Sequence, residues 1–163
     1  MKMCNAEIMK KVKMLEQTKI EVLTEEALNN QVSYQKEADR YDLGYSFAAT
    51  RARVGELDAE IRKLKDLLNV SNATTRVEEF SMTLGECLVY LAQLNRELAT
   101  VNALANKQEK SSTSVYGGAI EYTVLNYDKA EARACLEGLQ ETIAKLQIAI
   151  DRTNLTNVID VPL

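Results

Sequence analysis

Phe47, Val54, Ile61 and Leu68 recur at intervals of seven residues, and Leu57 and Leu64 supply a second row between them. A seam with this spacing is buried only when a straight helix lies against a partner helix. Three further segments carry helical periodicity. The first helix, from about Asn5 to Asn30, has a stripe of Ile8, Val12, Leu15 and Val22 flanked by Ile20, Leu23 and Ala27. The second, from about Ser46 to Asn69, holds the seven-residue series. The third, from Thr83 to about Lys107, sets Leu84, Leu91, Leu98 and Ala105 beside Cys87, Leu94 and Val101. The fourth, from Asp128 to about Asn154, alternates spacings of three and four through Leu136, Leu139, Ile143, Leu146 and Ile150. Thr83 with Glu86 reads as a capping box, and Asp128 with Glu131 as an aspartate cap with Glu at N3. The single proline, Pro162, forces no kink. Gly55, Gly85 and Gly138 each cost about 1 kcal/mol relative to Ala inside a helix. Either close helix contact or a near-neutral surface position accounts for them.

Helices of this length are roughly 38 Å long, and four amphipathic ones bury their stripes together most economically as a bundle. The expected fold is mainly α. Four long helices form a bundle or coiled-coil-like arrangement in one domain spanning 1–163, with a small β-hairpin between helices 3 and 4. The hairpin, at about 112–125, comes from strand formers on either side of Gly117-Gly118, which favours a primed turn. Ile120, Tyr122 and Val124 then share one face. A lone hairpin is marginal in water and needs a third strand, a helix or a neighbouring subunit. Gln31–Gln35 is the in-chain candidate for that strand, and the stretch from Glu37 to Tyr45 reads as loop.

The chain of 163 residues has no histidine. That removes Ser-His-Asp and Cys-His catalysis, the Glu-x-x-His pairs of di-iron bundles and the usual catalytic zinc shells. No metal and no cofactor is expected. Cys4, Cys87 and Cys135 are scattered, which favours reduced thiols and a cytoplasmic protein. Cys87 and Cys135 are expected in the core and Cys4 on a frayed end. A net charge of −4 opposes nucleic acid as partner. The clusters Lys10-Lys11-Lys13 and Arg62-Lys63-Lys65 alternate with acids and read as solvated faces. Glu25-Glu26, Glu78-Glu79, Asp39 and Asp42 read likewise as solvated carboxylates. No targeting segment is visible at the N-terminus and no stretch approaches a membrane span, so no membrane role is expected. The glycosylation-like triplets at Asn69, Asn72 and Asn154 therefore carry little weight.

Two asparagine-rich runs end the second and fourth helices: Asn69-Val-Ser71-Asn72-Ala-Thr74-Thr75 and Asn154-Leu-Thr156-Asn157. Such residues ordinarily cap helix ends. The sharper reading is that both runs meet at one end of the bundle as a polar network or small site built from Asn69, Asn72, Thr75, Asp151 and Asn154. Six of the seven tyrosines, Tyr34, Tyr41, Tyr45, Tyr116, Tyr122 and Tyr127, gather in the two non-helical connections, where Tyr suits an interface. Tyr116, Ile120, Tyr122 and Val124 form either an oligomer contact or a cap within one subunit.

At these residues the chain resembles a small bacterial family of unknown function often labelled septicolysin-like. Asn69, Ser71, Asn72 and Thr75 match its Asn-x-Thr-Asn-x-x-Thr run, with Ser for Thr. Thr83, Leu84, Glu86 and Leu88 match its Thr-Leu-x-Glu-Ala-Leu helix entry, with Cys87 for Ala. Leu146, Ile150 and Asn154 match its Leu-Asp-x-x-Ile-Gln-x-x-Asn-Trp ending, where Gln147, Asp151 and Leu155 depart from it. Leu91 and Ala92 stand where the family has Arg-Asp. The resemblance implies a helical fold and a homo-oligomer, and no demonstrated activity. A cytolysin-like role would need a secreted or membrane-inserting chain, which the N-terminus and hydropathy oppose.

The expected function is therefore that of a non-enzymatic cytoplasmic helical protein acting through self-association. The alternative is a small-ligand or enzymatic site at the Asn/Thr-rich end.

Overall fold

The computed structural model describes residues 1–162. Four helices dominate: α1 (Asn5–Asn29), α2 (Phe47–Thr74), α3 (Leu84–Ala105) and α4 (Lys129–Thr156). Three antiparallel two-stranded ribbons accompany them. β1 (Lys2–Cys4) pairs with β6 (Val158–Asp160), β2 (Arg76–Val77) with β3 (Met82–Thr83), and β4 (Lys110–Ser114) with β5 (Ile120–Val124). The mainly α class and the ribbon between α3 and α4 are as expected from sequence. The chain divides into two compact units, residues 1–75 with 154–163 and residues 76–153.

In the first unit α1 and α2 run antiparallel. Ile8 and Val12 pack with Ile61, Leu64 and Val161. Ion pairs cross between the helices beside this seam: Lys11–Glu60 at 2.8 Å, Lys19–Asp58 at 2.7 Å, Lys65–Glu16 at 2.6 Å, and Arg51–Glu26. Lys11 and Lys65, read as members of solvated runs, thus reach across to the neighbouring helix. Exposed pairs of this kind contribute about 0–1 kcal/mol each and fix orientation more than they stabilise. Phe47, which opens the seven-residue series, is exposed with the Arg51 guanidinium on its ring. Full burial in α2 begins at Leu57, because the long connection before α2 supplies no helical neighbour for Phe47.

In the second unit Leu84, Cys87 and Leu94 of α3 close on Ile143, Leu146, Ala149 and Ile150 of α4, with Val77 over the end. Each fully buried aliphatic side chain here stabilises by about 1.5–3 kcal/mol. Thr83 starts α3 as expected. Its N–H donates to Glu86 Oε2 at 2.7 Å, and the Glu86 N–H donates to Thr83 Oγ1 at 3.2 Å. These bonds from Thr83 hold the Glu86 carboxyl below its ordinary value of 4.5. A lowered native value means that the cap stabilises above pH 4.5 and is lost as the pH falls through that lower value. Glu86→Gln is expected to flatten the acid limb of the melting-temperature profile, checked by calorimetry against wild type. The Asp128 carboxylate accepts from Ala130 N–H at 2.7 Å at the start of α4.

Several local expectations are corrected. The turn of β4–β5 is wider than a two-residue primed turn: Val115 N–H donates to Ala119 O and Gly118 N–H to Val115 O. A two-residue turn at Gly117-Gly118 would set Tyr116 opposite Ala119; instead Val115 stands there, so the loop takes in Tyr116 as well, and both glycines keep a positive φ, 90 and 79. Residues 31–35 form no strand; they belong to the first unit and the hairpin to the second. Cys4 is not frayed, since it pairs with Val158 in the terminal ribbon and donates its N–H to Glu7 Oε2 at 2.8 Å. Cys135 is exposed, because the buried stripe of α4 runs through Ile143, Leu146 and Ile150 and leaves Cys135 off it. Cys87 is buried as expected, and burial first, then the Glu86 charge, pushes its thiol pKa up. An alkylating reagent should therefore modify Cys135 quickly, Cys4 more slowly and Cys87 only on unfolding, read by mass spectrometry over time. A cβ built at Gly55 or Gly138 meets nothing within 4 Å, so both are open surface positions rather than close helix contacts.

Candidate functional site

The α1 seam does not begin with an apolar residue. Asn5 stands three residues ahead of Ile8, and in α2 Ser71 stands seven residues beyond Leu64. Both therefore point into the seam, and both are buried, Asn5 completely. Buried polar atoms carry a cost unless they are hydrogen-bonded. Here they find each other and the returning C-terminal segment.

Ser71 Oγ donates to Asn5 Oδ1 at 3.0 Å. Asn157 Nδ2 donates to Ser71 Oγ at 2.8 Å, and Thr75 Oγ1 lies 3.3 Å from the same hydroxyl. With the Ser71 proton committed to Asn5, Thr75 acts as the donor in that last contact. Asn5 Nδ2 donates to Asn154 Oδ1 at 3.3 Å. A hydroxyl has one proton and two acceptor lone pairs, so Ser71 is saturated. Among the described residues no buried side-chain nitrogen or oxygen lacks a partner. The terminal ribbon adjoins the cluster: Met1 N donates to Val161 O at 2.9 Å, Val161 N to Met1 O at 2.8 Å, and Lys2 stands opposite Asp160.

Of the residues expected here, Thr75 and Asn154 join the network. Asn69 and Asp151 are exposed, and Asn72 is half-buried and outside it. The reason is that α2 and α4 do not stop at their asparagines. α2 runs on to Thr74 and α4 to Thr156, so Asn69, Asn72, Asp151 and Asn154 occupy helix rather than the turns after it. Only positions in phase with the seam then turn inward. Asn5, Ser71 and Asn157 are the members that a capping interpretation misses, and phase with Ile8 and Leu64 is the signal that finds the first two.

The cluster consists of amides and hydroxyls and contains no titratable side chain, so it orders hydrogen bonds but does not transfer protons. A polar group inside a helix–helix seam is a known means of fixing register. Among the described residues no group of three or more Cys, Asp or Glu is placed to hold a metal ion. None of the described helices is long and apolar enough to cross a membrane.

The second candidate is the ribbon β4–β5. Tyr116 is fully exposed, and Ile120, Tyr122 and Val124 expose 60, 60 and 61% of their surfaces. The Lys110 ammonium lies 4.8 Å from the Tyr122 ring centroid. In the first unit's connection, Tyr45 donates to Glu26 Oε1 at 2.7 Å, which raises the Tyr45 pKa and ties the loop to α1.

No protein-family model and no curated protein sequence matches the chain. A solved structure from Corynebacterium diphtheriae, described as a functionally unknown conserved protein, is similar in fold. Its TM-score is 0.72 at 18% identity, covering 98% of this chain and 100% of that one.

Proposed function

We propose that this protein is non-enzymatic and acts by associating with copies of itself. The carrying observation is the β4–β5 ribbon, whose Ile120, Tyr122 and Val124 lie largely in water while it pairs with no third strand among the described residues. A two-stranded hairpin is at best marginal when it stands alone. Half-buried Leu98 and Leu139, next to the α3–α4 core, are positions that coiled-coil or bundle contacts between copies would finish covering.

The septicolysin-like motif matches at Thr83, Leu84 and Glu86 point the same way, since that family implies a homo-oligomer. Three free thiols suit a reducing, cytoplasmic setting. The net charge of −4 disfavours a nucleic-acid partner. The alternative of a ligand site at the Asn/Thr end is weakened by a network whose buried atoms are already satisfied.

Light scattering on the eluting chain at micromolar concentration should give a multiple of 18.3 kDa. A monomer mass that persists on concentration overturns the proposal. Removing residues 112–125 should lower that mass while leaving far-ultraviolet helicity nearly unchanged.

A further inference from the structure

We infer that two copies join edge to edge through β5, antiparallel and centred on Tyr122, into one four-stranded sheet. This rests on the self-association proposed above and specifies its geometry.

The two edges of the ribbon are not equivalent. Val115 N–H donates to Ala119 O, and Leu125 N–H to Glu109 O. Antiparallel bonding alternates along a strand, so Glu121 and Thr123 bond inward to β4. The main-chain groups of Ile120, Tyr122 and Val124 face outward. On β4 the outward positions are Lys110, Ser112 and Ser114, by their register with Val124, Tyr122 and Ile120. Lysine on an edge is a standard obstacle to strand addition. The β4 edge carries one and the outward positions of the β5 edge carry no charge.

The β5 edge is also complementary to itself. About a two-fold axis at Tyr122, Tyr122 meets its own copy and Ile120 meets the second copy's Val124. Glu121 then meets Thr123, so no like charges stand opposite, an arrangement that would be destabilising. The outward amides and carbonyls of three residues in each chain all gain partners. Ile120, Tyr122 and Val124 of both copies make one continuous apolar strip across the middle of the sheet.

The test uses the full chain and reads the dimer dissociation constant by analytical ultracentrifugation. Tyr122→Pro removes an outward N–H without touching a β4–β5 bond, and should weaken the dimer about thirtyfold, the loss of two backbone bonds at their usual net value. Ser112→Pro does the same on the lysine-guarded edge and should leave the constant unchanged. Because the central residue faces its own copy, Tyr122→Lys and Tyr122→Glu should each weaken association alone, and an equimolar mixture should restore it. A fold defect would not be rescued by mixing. Wild-type dimers that tolerate Tyr122→Pro, or charge variants that mixing does not rescue, overturn the β5 pairing and leave self-association through another surface standing. A wild-type chain that stays monomeric overturns both, as would be the case if a strand of a different protein covered this edge.

Discussion

Leu146→Ala will cost the second unit about 3 kcal/mol, within the 2–5 kcal/mol typical of emptying a leucine site in a core. Leu146 is completely buried between α3 and α4, against Leu84, Cys87 and Ile150. Two helices that can draw partly together over the gap keep the cost below the top of that range. Gln147→Ala, one residue on and exposed, should change stability by less than about 0.5 kcal/mol. Urea unfolding gives the two values. Cys87 alkylation gives an independent local reading, because that thiol is reached only when the same core opens. Equal effects of the two substitutions would mean that the seam is not what holds α3 to α4.

Asn5→Ala should be nearly as damaging, by a different route. It leaves the Ser71 hydroxyl proton and the Asn154 carbonyl without the amide they bind. Stranding buried polar groups costs about 1–3 kcal/mol each, so a loss of about 2–4 kcal/mol is expected. Asn69→Ala and Asp151→Ala, both on exposed positions, should stay within about 0.5 kcal/mol. Ser71→Ala combined with Asn5→Ala should cost less than the two changes added, with a coupling of about 1 kcal/mol. Thermal unfolding of the five variants, Asn5→Ala, Ser71→Ala, their double, Asn69→Ala and Asp151→Ala, checks this. If Asn5→Ala proves as mild as Asn69→Ala, the cluster is not a structural fastener and a ligand role regains ground.

The helices were legible because burial against one partner imposes a period, and Ile8, Val12, Ile61, Leu64, Leu94 and Leu146 carry it directly. Their ends were less legible. Asn69 and Asn154 look like stop signals by local preference, yet tertiary placement of Ser71 and Asn157 carries both helices onward. Ribbons β1–β6 and β2–β3 escaped notice because strands of two or three residues are too short to show alternation. The buried amide of Asn5 was hidden for a related reason: a single polar residue in phase with a stripe looks like its boundary until a partner such as Ser71 is seen opposite. The ribbon β4–β5 was readable because Gly117-Gly118 and the alternation through Ile120, Tyr122 and Val124 need no distant partner.

The first unit is discontinuous: residues 1–75 are completed by 154–163, while residues 76–153 form the second. The second unit is thus contiguous in sequence, whereas Ser71 and Ile8 of the first meet Asn157 and Val161 from beyond it. The intervening piece can fold from continuous chain, whereas the seam of α1 and α2 is closed only when residues 154–162 return to it. A chain cut between residues 75 and 154 would leave Asn5 without Asn154 and Ser71 without Asn157, with the buried amide and hydroxyl of the seam unsealed.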